Sequence, residues 1–169
     1  LIEPMPHIHE RYDFVISVFI VHTGKVLLVY HKKYNEWLPI GGHIELDEDP
    51  EEAPYREIKE ECGLPVRILA PTPDIGHEGV KPLPTPAFLD SHRISDTHVH
   101  IAFVYFGVTD SPNVQLHTRE HREFRFSNAL PHPSDSSYSA NYHRYGDFAS
   151  GNPTCRDSRD RLASQQDCP

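Results

Sequence analysis

The chain has 169 residues, which suits one domain with a proper hydrophobic core. Its formal net charge is −9, and residues 45–61 contain nine acids but only two bases, so most of the excess negative charge lies in one segment. This balance excludes a basic surface for a nucleic-acid polymer. No apolar run approaches the ~18 residues that a membrane-spanning helix requires.

Two β-rich runs open the predicted fold. Phe14–Val21 and Lys25–Tyr30 carry the β-branched and aromatic residues typical of strands, and His22–Gly24 between them is a hairpin signal. The segment from Trp37 to Glu45 then predicts a glycine-containing loop with a short strand. Trp37 itself is expected in the core rather than on a binding surface.

A helix is predicted over 50–63. Asp49 is a suitable N-cap, Pro50 suits the first helical position and Gly63 suits the position just past the end. Pro54 disturbs this pattern, because it has no N–H to bond the carbonyl of Pro50. We therefore expect either a shortened or bent first turn, or a helix that starts only at Pro54.

Three further strands are predicted after the helix, over Val66–Leu69, His98–Val108 and Glu123–Phe126. Ala70–Thr97 is a proline-rich connection that we interpret as a long loop, a feature that is usually functional or disordered. Strands of mixed order flanking a helix predict an α/β sandwich.

Carboxylates concentrate on one side of the predicted helix. At roughly 100° per residue, Glu57, Glu60 and Glu61 fall within one narrow arc. They lie near the C-terminal end, where the helix dipole is already negative, so each costs roughly 0.3–1 kcal/mol. Lys59 points to the opposite side and Arg56 lies about 100° away, so neither can neutralise three acids. Hard divalent cations with oxygen ligands can; an acidic, solvated helix face is the alternative interpretation.

These acids belong to a longer pattern, which resembles the Nudix box. The spacing is G-x5-E-x7-R-E-(apolar)-x-E-E-x-G-(apolar), and it is far more specific than a lone glycine-rich loop. The approach Trp37–Gly42 also resembles this superfamily, and the resemblance covers about Met5 to Ser127. Every constrained position is satisfied, by Gly42, Glu48, Arg56, Glu57, Ile58, Glu60, Glu61, Gly63 and Leu64.

The resemblance implies a site for Mg²⁺, with Mn²⁺ as a substitute. Glu48 and Arg56 would pair and fix the loop against the helix. Glu57 and Glu120 are the candidates for the general base, and Glu123 is the alternative to Glu120 as the carboxylate outside the box. The implied catalytic residues are Glu48, Arg56, Glu57 and Glu120. The implied metal ligands are the carbonyl of Gly41 and the side chains of Glu57, Glu60, Glu61 and Glu120.

The resemblance also implies a fold and an activity. The fold is an α/β/α sandwich with a mixed β-sheet, and the activity is Mg²⁺-dependent hydrolysis of a diphosphate linkage, in a nucleotide-like small molecule, by water attack at phosphorus. Metal ions suit this reaction because they screen the substrate's charge and lower the pKa of bound water, and a carboxylate can take the proton. The alternatives are a nucleotide-sensing module without turnover, or an inactive product of a damaged gene.

Residues 131–169 differ in character from the rest. They are rich in Ser, Pro and other polar residues, with neither a strand nor a helix period. Nudix domains usually add a helix here that covers the sheet, and none is visible. We therefore predict a domain over 1–130, which lacks a regular C-terminal helix, and a disordered or irregular tail over 131–169.

Histidines form a second group of candidates. His98 and His100 alternate on one face of a predicted strand and could bind a metal, but no third ligand is evident in the sequence. Packing or hydrogen bonding to the loop is the alternative. His43, beside the glycines, either touches a phosphate or lines the loop. The long connection adds three candidates for substrate contact, Phe88, His92 and Arg93.

The chain contains three cysteines, Cys62, Cys155 and Cys168, which do not make a disulfide framework. Cys62 lies inside the box pattern, and the other two lie in the predicted tail. Such usage fits a reducing compartment, so we predict a cytoplasmic location.

Overall fold

The computed structural model describes residues 11–128. These residues form one mixed sheet and one helix, and no helix among them is long and apolar enough to cross a membrane. The strands are β1 Tyr12–His22, β2 Lys25–His31, β3 Glu36–Leu38, β4 Ile40–His43, β5 Arg67–Ile68, β6 Phe88–Ser95, β7 His98–Val108 and β8 His121–Ser127, with helix α1, Glu52–Glu61, between β4 and β5.

Two long strands form the centre of the sheet. β1 and β7 run parallel in a register that extends from Tyr12↔Val99 to Val21↔Val108. Both are rich in β-branched and aromatic residues and largely buried, as parallel strands at the centre of a sheet usually are. The sheet order around them is β3-β2-β1-β7-β5, while β4 pairs with β1, β6 with β7 and β8 with β2.

The turn between β1 and β2 is the predicted hairpin. Thr23 and Gly24 have φ values of 46° and 76°, and the strands on either side pair in antiparallel fashion at Val21↔Val26. Positive φ at both central residues is typical of the tight turns whose twist matches that of the flanking strands.

Alternation along β1 separates two apolar layers. Ile16 packs with Ile58 of α1 on one face of the sheet, while Val15 and Phe19 pack with Trp37 on the other. Trp37 is therefore in the core, as predicted. A mixed sheet with a helix on one face confirms the predicted fold class. The predictions of a missing C-terminal helix and of a tail over 131–169 concern residues that lie outside the described part of the chain.

The prediction that Ala70–Thr97 is a loop is wrong for the last third of this segment. Phe88–Ser95 forms β6, which pairs with β7 in antiparallel fashion, starting at Phe88↔Val104. Among residues 11–128, β6 pairs only with β7. Most of its side chains are at least partly exposed and many are polar, so the apolar alternation that would predict a strand is weak.

Helix α1 is two residues shorter at each end than predicted, although Asp49 caps it. Asp49 Oδ1 accepts hydrogen bonds from the N–H groups of Glu51 and Glu52 at 2.8 and 3.2 Å, and Glu52 Oε2 accepts one from the Asp49 N–H at 3.1 Å. This reciprocal pair is a capping box. The regular helix starts later because Pro54 cannot donate to the carbonyl of Pro50, which agrees with the shortened first turn expected from the sequence.

We expect Pro54→Ala to raise the free energy of unfolding by ~1 kcal/mol. Alanine restores an N–H for the carbonyl of Pro50; the gain is smaller than the ~3 kcal/mol of a mid-helix proline, since Pro54 lies in the first turn and its ring is buried. Urea melts measure the change, and the same substitution at the exposed Pro73 is the control. A midpoint that does not rise would mean that packing of the ring outweighs the missing hydrogen bond.

Candidate active site

An open cleft of about 820 Å³ lies between α1 and the glycine-containing strand β4. A volume of this size suits a small-molecule site. The predicted acids reach it from two parts of the chain, helix α1 and the segment just before β8. The lining includes nine residues that the sequence pattern marks as candidates: Gly41, Gly42, His43, Arg56, Glu57, Glu60, Glu61, His100 and Glu120.

Arg56 ties the loop before the helix to the helix itself. Its Nε lies 3.0 Å from Glu48 Oε2 and its Nη2 lies 2.6 Å from Glu48 Oε1, while Nη2 also donates to the carbonyl of His43 at 2.8 Å. The hydrogen bonds between Arg56 and Glu48 raise the pKa of the guanidinium and hold the pKa of the carboxyl below its ordinary value. The two residues are thus paired, and their contribution to catalysis stays a prediction.

Arg56 also contacts two of the clustered acids. Its Nη1 lies 2.9 Å from Glu57 Oε1 and 3.1 Å from Glu60 Oε2. Arg56 points about 100° away from these acids around the helix, but its side chain is long enough to reach them. One guanidinium nevertheless faces three carboxylates, those of Glu48, Glu57 and Glu60, so this group of side chains keeps a net negative charge.

Glu57 lines the cleft although it is only 8% exposed. Burial and, next, repulsion from Glu61 raise the pKa of Glu57 to about 7, against the opposing effect of Arg56. Its carboxylate lies against the backbone of Gly42, where an added Cβ would be 2.2 Å from Oε1 of Glu57. The position of this carboxylate therefore requires glycine at 42.

The stability of the metal-free protein is expected to depend on pH through Glu57. The carboxyl of Glu57 binds its proton more tightly in the folded state than in the unfolded state. The free energy of unfolding should therefore fall as pH rises from about 4.5 to about 7, and level off above that. Glu57→Gln removes this titration, so the variant should gain stability relative to wild type across the same window. Urea melts in EDTA at a series of pH values measure the difference, and a constant difference would contradict the assignment.

Glu61 is held from two sides. Its Oε2 accepts a hydrogen bond from the Gly41 N–H at 3.0 Å, and its Oε1 lies 2.9 Å from His121 Nε2. His121 is 1% exposed, and its Nδ1 is buried without a hydrogen-bond partner in the structure. His121 is not among the site residues predicted from the sequence. Its position directly after Glu120 was the available signal, but its burial against α1 follows only from the folding of the chain.

The structure brings Glu120, rather than Glu123, to the cleft. Ligand atoms of Glu61, Glu120 and His121 lie within 4.8 Å of one another. The backbone around Glu120 is fixed, since its carbonyl accepts the Lys32 N–H at 2.8 Å. Glu123 is exposed on β8 and does not line the cleft.

The donor set of the cleft fits a hard divalent cation. Four carboxylates predicted as metal ligands line it beside a fifth, that of the exposed Glu45, and oxygen ligands are those that Mg²⁺ and Mn²⁺ prefer. Burial, followed by repulsion from Glu61, raises the pKa of Glu57, and a bound cation would favour its charged form. The four carboxylates are those of Glu57, Glu60, Glu61 and Glu120.

The three candidates for substrate contact in β6 do not line the cleft. Phe88 packs with Phe106 against the opposite face of the sheet. His92 Nδ1 lies 2.8 Å from Asp90 Oδ1. Arg93 Nη1 lies 3.2 Å from Asp96 Oδ1, in the turn that follows β6. Their expected role in substrate contact therefore has no support in the geometry of the cleft.

A mixed sheet that carries a loop–helix segment with clustered carboxylates is the arrangement of a Nudix domain. A model of the NUDIX domain matches residues 11–138. The structure is similar to a hydrolase of the NUDIX family from Clostridium perfringens, with 36% identity, a TM-score of 0.70, and coverage of 82% of this chain and 96% of that one. The chain therefore belongs to the Nudix hydrolase family.

Two more distant structures show the same fold. One is a MutT NUDIX hydrolase from Burkholderia pseudomallei, with 21% identity, a TM-score of 0.60, and coverage of 86% of this chain and 100% of that one. The other is a UDP-X diphosphatase, with 18% identity, a TM-score of 0.57, and coverage of 82% of this chain and 62% of that one. No curated protein matches the chain.

Proposed function

We propose that this Nudix hydrolase cleaves a diphosphate linkage in a nucleoside diphosphate derivative, by Mg²⁺-dependent attack of water at phosphorus, with Mn²⁺ as a substitute. The observation that carries the proposal is the convergence of four carboxylates on one cleft of about 820 Å³. We also propose that the substrate is a small molecule rather than a polymer, and that the protein is located in the cytoplasm.

The acids have two roles, holding the cation and accepting a proton from water, and Glu57 is a candidate for both. Glu60, Glu61 and Glu120, with the carbonyl of Gly41, would hold the cation, and Glu57 completes the set. When bound, Mg²⁺ supplies charge to screen the diphosphate and lowers the pKa of coordinated water. Each proposed ligand belongs to β4, α1 or the segment before β8. The fold therefore determines the position of each ligand.

Glu57 is our candidate for the general base. A base is most effective when its pKa lies near the working pH, and burial together with Glu61 raises the pKa of Glu57 to about 7. Glu120, by contrast, is exposed, whereas Glu57 is buried. Arg56 orients Glu57 through Nη1, while Glu48 in turn fixes Arg56.

The proposal is tested by a phosphate-release assay with Mg²⁺ or Mn²⁺. The panel of substrates consists of nucleoside triphosphates and nucleoside diphosphate derivatives. Reaction in ¹⁸O-labelled water then locates the attack, because the label enters a phosphate product only if water attacks phosphorus. No hydrolysis of any panel member with either metal, or label in a non-phosphate product, would contradict the proposal.

Glu120→Gln is expected to lower turnover by at least ~10-fold, whereas Glu123→Gln leaves it within about twofold. Only Glu120 lies within 4.8 Å of the ligand atoms of Glu61, so only its charge acts on the reacting groups. Steady-state kinetics at saturating Mg²⁺ measure both variants. Equal effects of the two substitutions would remove Glu120 from the site.

A further inference from the structure

Three histidines from two strands, His43 on β4 and His98 and His100 on β7, meet beside the cleft. One ligand nitrogen from each of His43, His98 and His100 lies within 4.8 Å of the others. Strand pairing causes this convergence, since β1 pairs with β7 at Asp13↔His100 and with β4 at Val15↔His43. The third ligand that the sequence around His98 and His100 lacks is therefore supplied by β4.

Asp13 adds a carboxylate to this group. Its Oδ2 lies 3.1 Å from His98 Nε2 and 3.7 Å from His43 Nε2. His98 Nε2 is buried and has no hydrogen-bond partner in the structure, although the Asp13 carboxylate lies beside it. Ligand atoms about 2.0–2.1 Å from a tetrahedral zinc ion lie roughly 3.3 Å apart, which is close to the two spacings between Asp13 and the histidines.

The chemistry of the group differs from that of the acid-lined site. This group offers three imidazole nitrogens within 4.8 Å of one another, whereas the predicted ligand side chains of the cleft are carboxylates. Imidazole ligands suit zinc, nickel and copper, whereas carboxylates suit magnesium and manganese. The two sets of ligands therefore select different metals.

We propose that His43, His98 and His100 bind one Zn²⁺ or a chemically similar divalent transition metal. Asp13, which lies beside His98 and His43, is our candidate for the fourth ligand. Its ligands are different residues from the carboxylates of the cleft, although His43 and His100 line the same cleft, and the site does not depend on the proposed hydrolysis. A metal bound here links β1, β4 and β7, and it stabilises the folded state by mass action.

The test uses the full chain with Co²⁺ as a spectroscopic probe and Zn²⁺ as competitor, in excess Mg²⁺ to saturate the carboxylates. We expect a tetrahedral Co²⁺ spectrum that Zn²⁺ abolishes. His43→Asn, His98→Gln and His100→Gln should each weaken binding by at least ~100-fold, since loss of an outer-shell partner alone costs about 10–100-fold. Zn²⁺ should raise the melting temperature of wild type but not of these variants.

The chain contains 13 histidines, so loss of binding in these variants, rather than binding itself, is the criterion. His77→Ala, in an exposed loop, is the matched control and should bind like wild type. The side chain of His43 is 52% exposed, so His43→Asn separates loss of a ligand from loss of folding. Absence of Co²⁺ binding, or unchanged affinity in His43→Asn and His98→Gln, would overturn the proposal.

Discussion

Glu61→Gln should lower metal-dependent hydrolysis by at least ~10²-fold, the scale of losing one major group that stabilises developing charge. Glutamine keeps the shape of the side chain and an oxygen for the Gly41 N–H, which now lies 3.0 Å from Glu61 Oε2. It removes the negative charge that faces the cleft. Steady-state kinetics over a range of Mg²⁺ concentrations measure the loss, and we expect the half-saturating Mg²⁺ concentration to rise as well.

Glu51→Gln is the matched control for this experiment. Glu51 lies just before the same helix, but it pairs with Lys81 outside the main cleft. An exposed pair of this kind contributes ~0–1 kcal/mol, so the control should fold and turn over like wild type. Wild-type activity in Glu61→Gln, with the fold verified by circular dichroism, would show that the acid cluster is structural.

Gly42→Ala is expected to lower turnover by ~10²-fold with only a small loss of stability. The new Cβ would lie 2.2 Å from Oε1 of Glu57, so the carboxylate must move away and weaken its hydrogen bond to Arg56. A displacement of about 1 Å in a catalytic group can cost 10²-fold in rate. The clash involves the end of a side chain rather than the backbone, so folding should survive.

Kinetics and thermal melts on the same sample separate these two effects. Gly76→Ala is the control, because an added Cβ there meets nothing within 4 Å and its backbone is not left-handed. If Gly42→Ala loses no activity, Glu57 reacts from a position other than the one observed, and Glu120 becomes the better candidate for the base.

The path of the chain was predictable where local physics decides it. The hairpin at His22–Gly24 depends on residues that tolerate positive φ, and β7 was predicted over its full extent because His98–Val108 is a long run of strand-forming residues. Strand β6 was not predictable, because its side chains are mostly exposed and polar and its partner β7 determines its conformation. The capped start of α1 was predictable from Asp49, whereas its exact first residue depended on how Pro54 is accommodated.

The sequence by itself determined the family and the acids of the helix, because a box of fixed spacing and a helical period place Glu57, Glu60 and Glu61 together without reference to the rest of the chain. Only the tertiary structure decided which groups face them. His121 comes to Glu61 across 60 positions of sequence, and His43 reaches His98 and His100 through two strand pairings. Contacts between residues far apart in the chain depend on the register of the sheet, and no local pattern encodes that register.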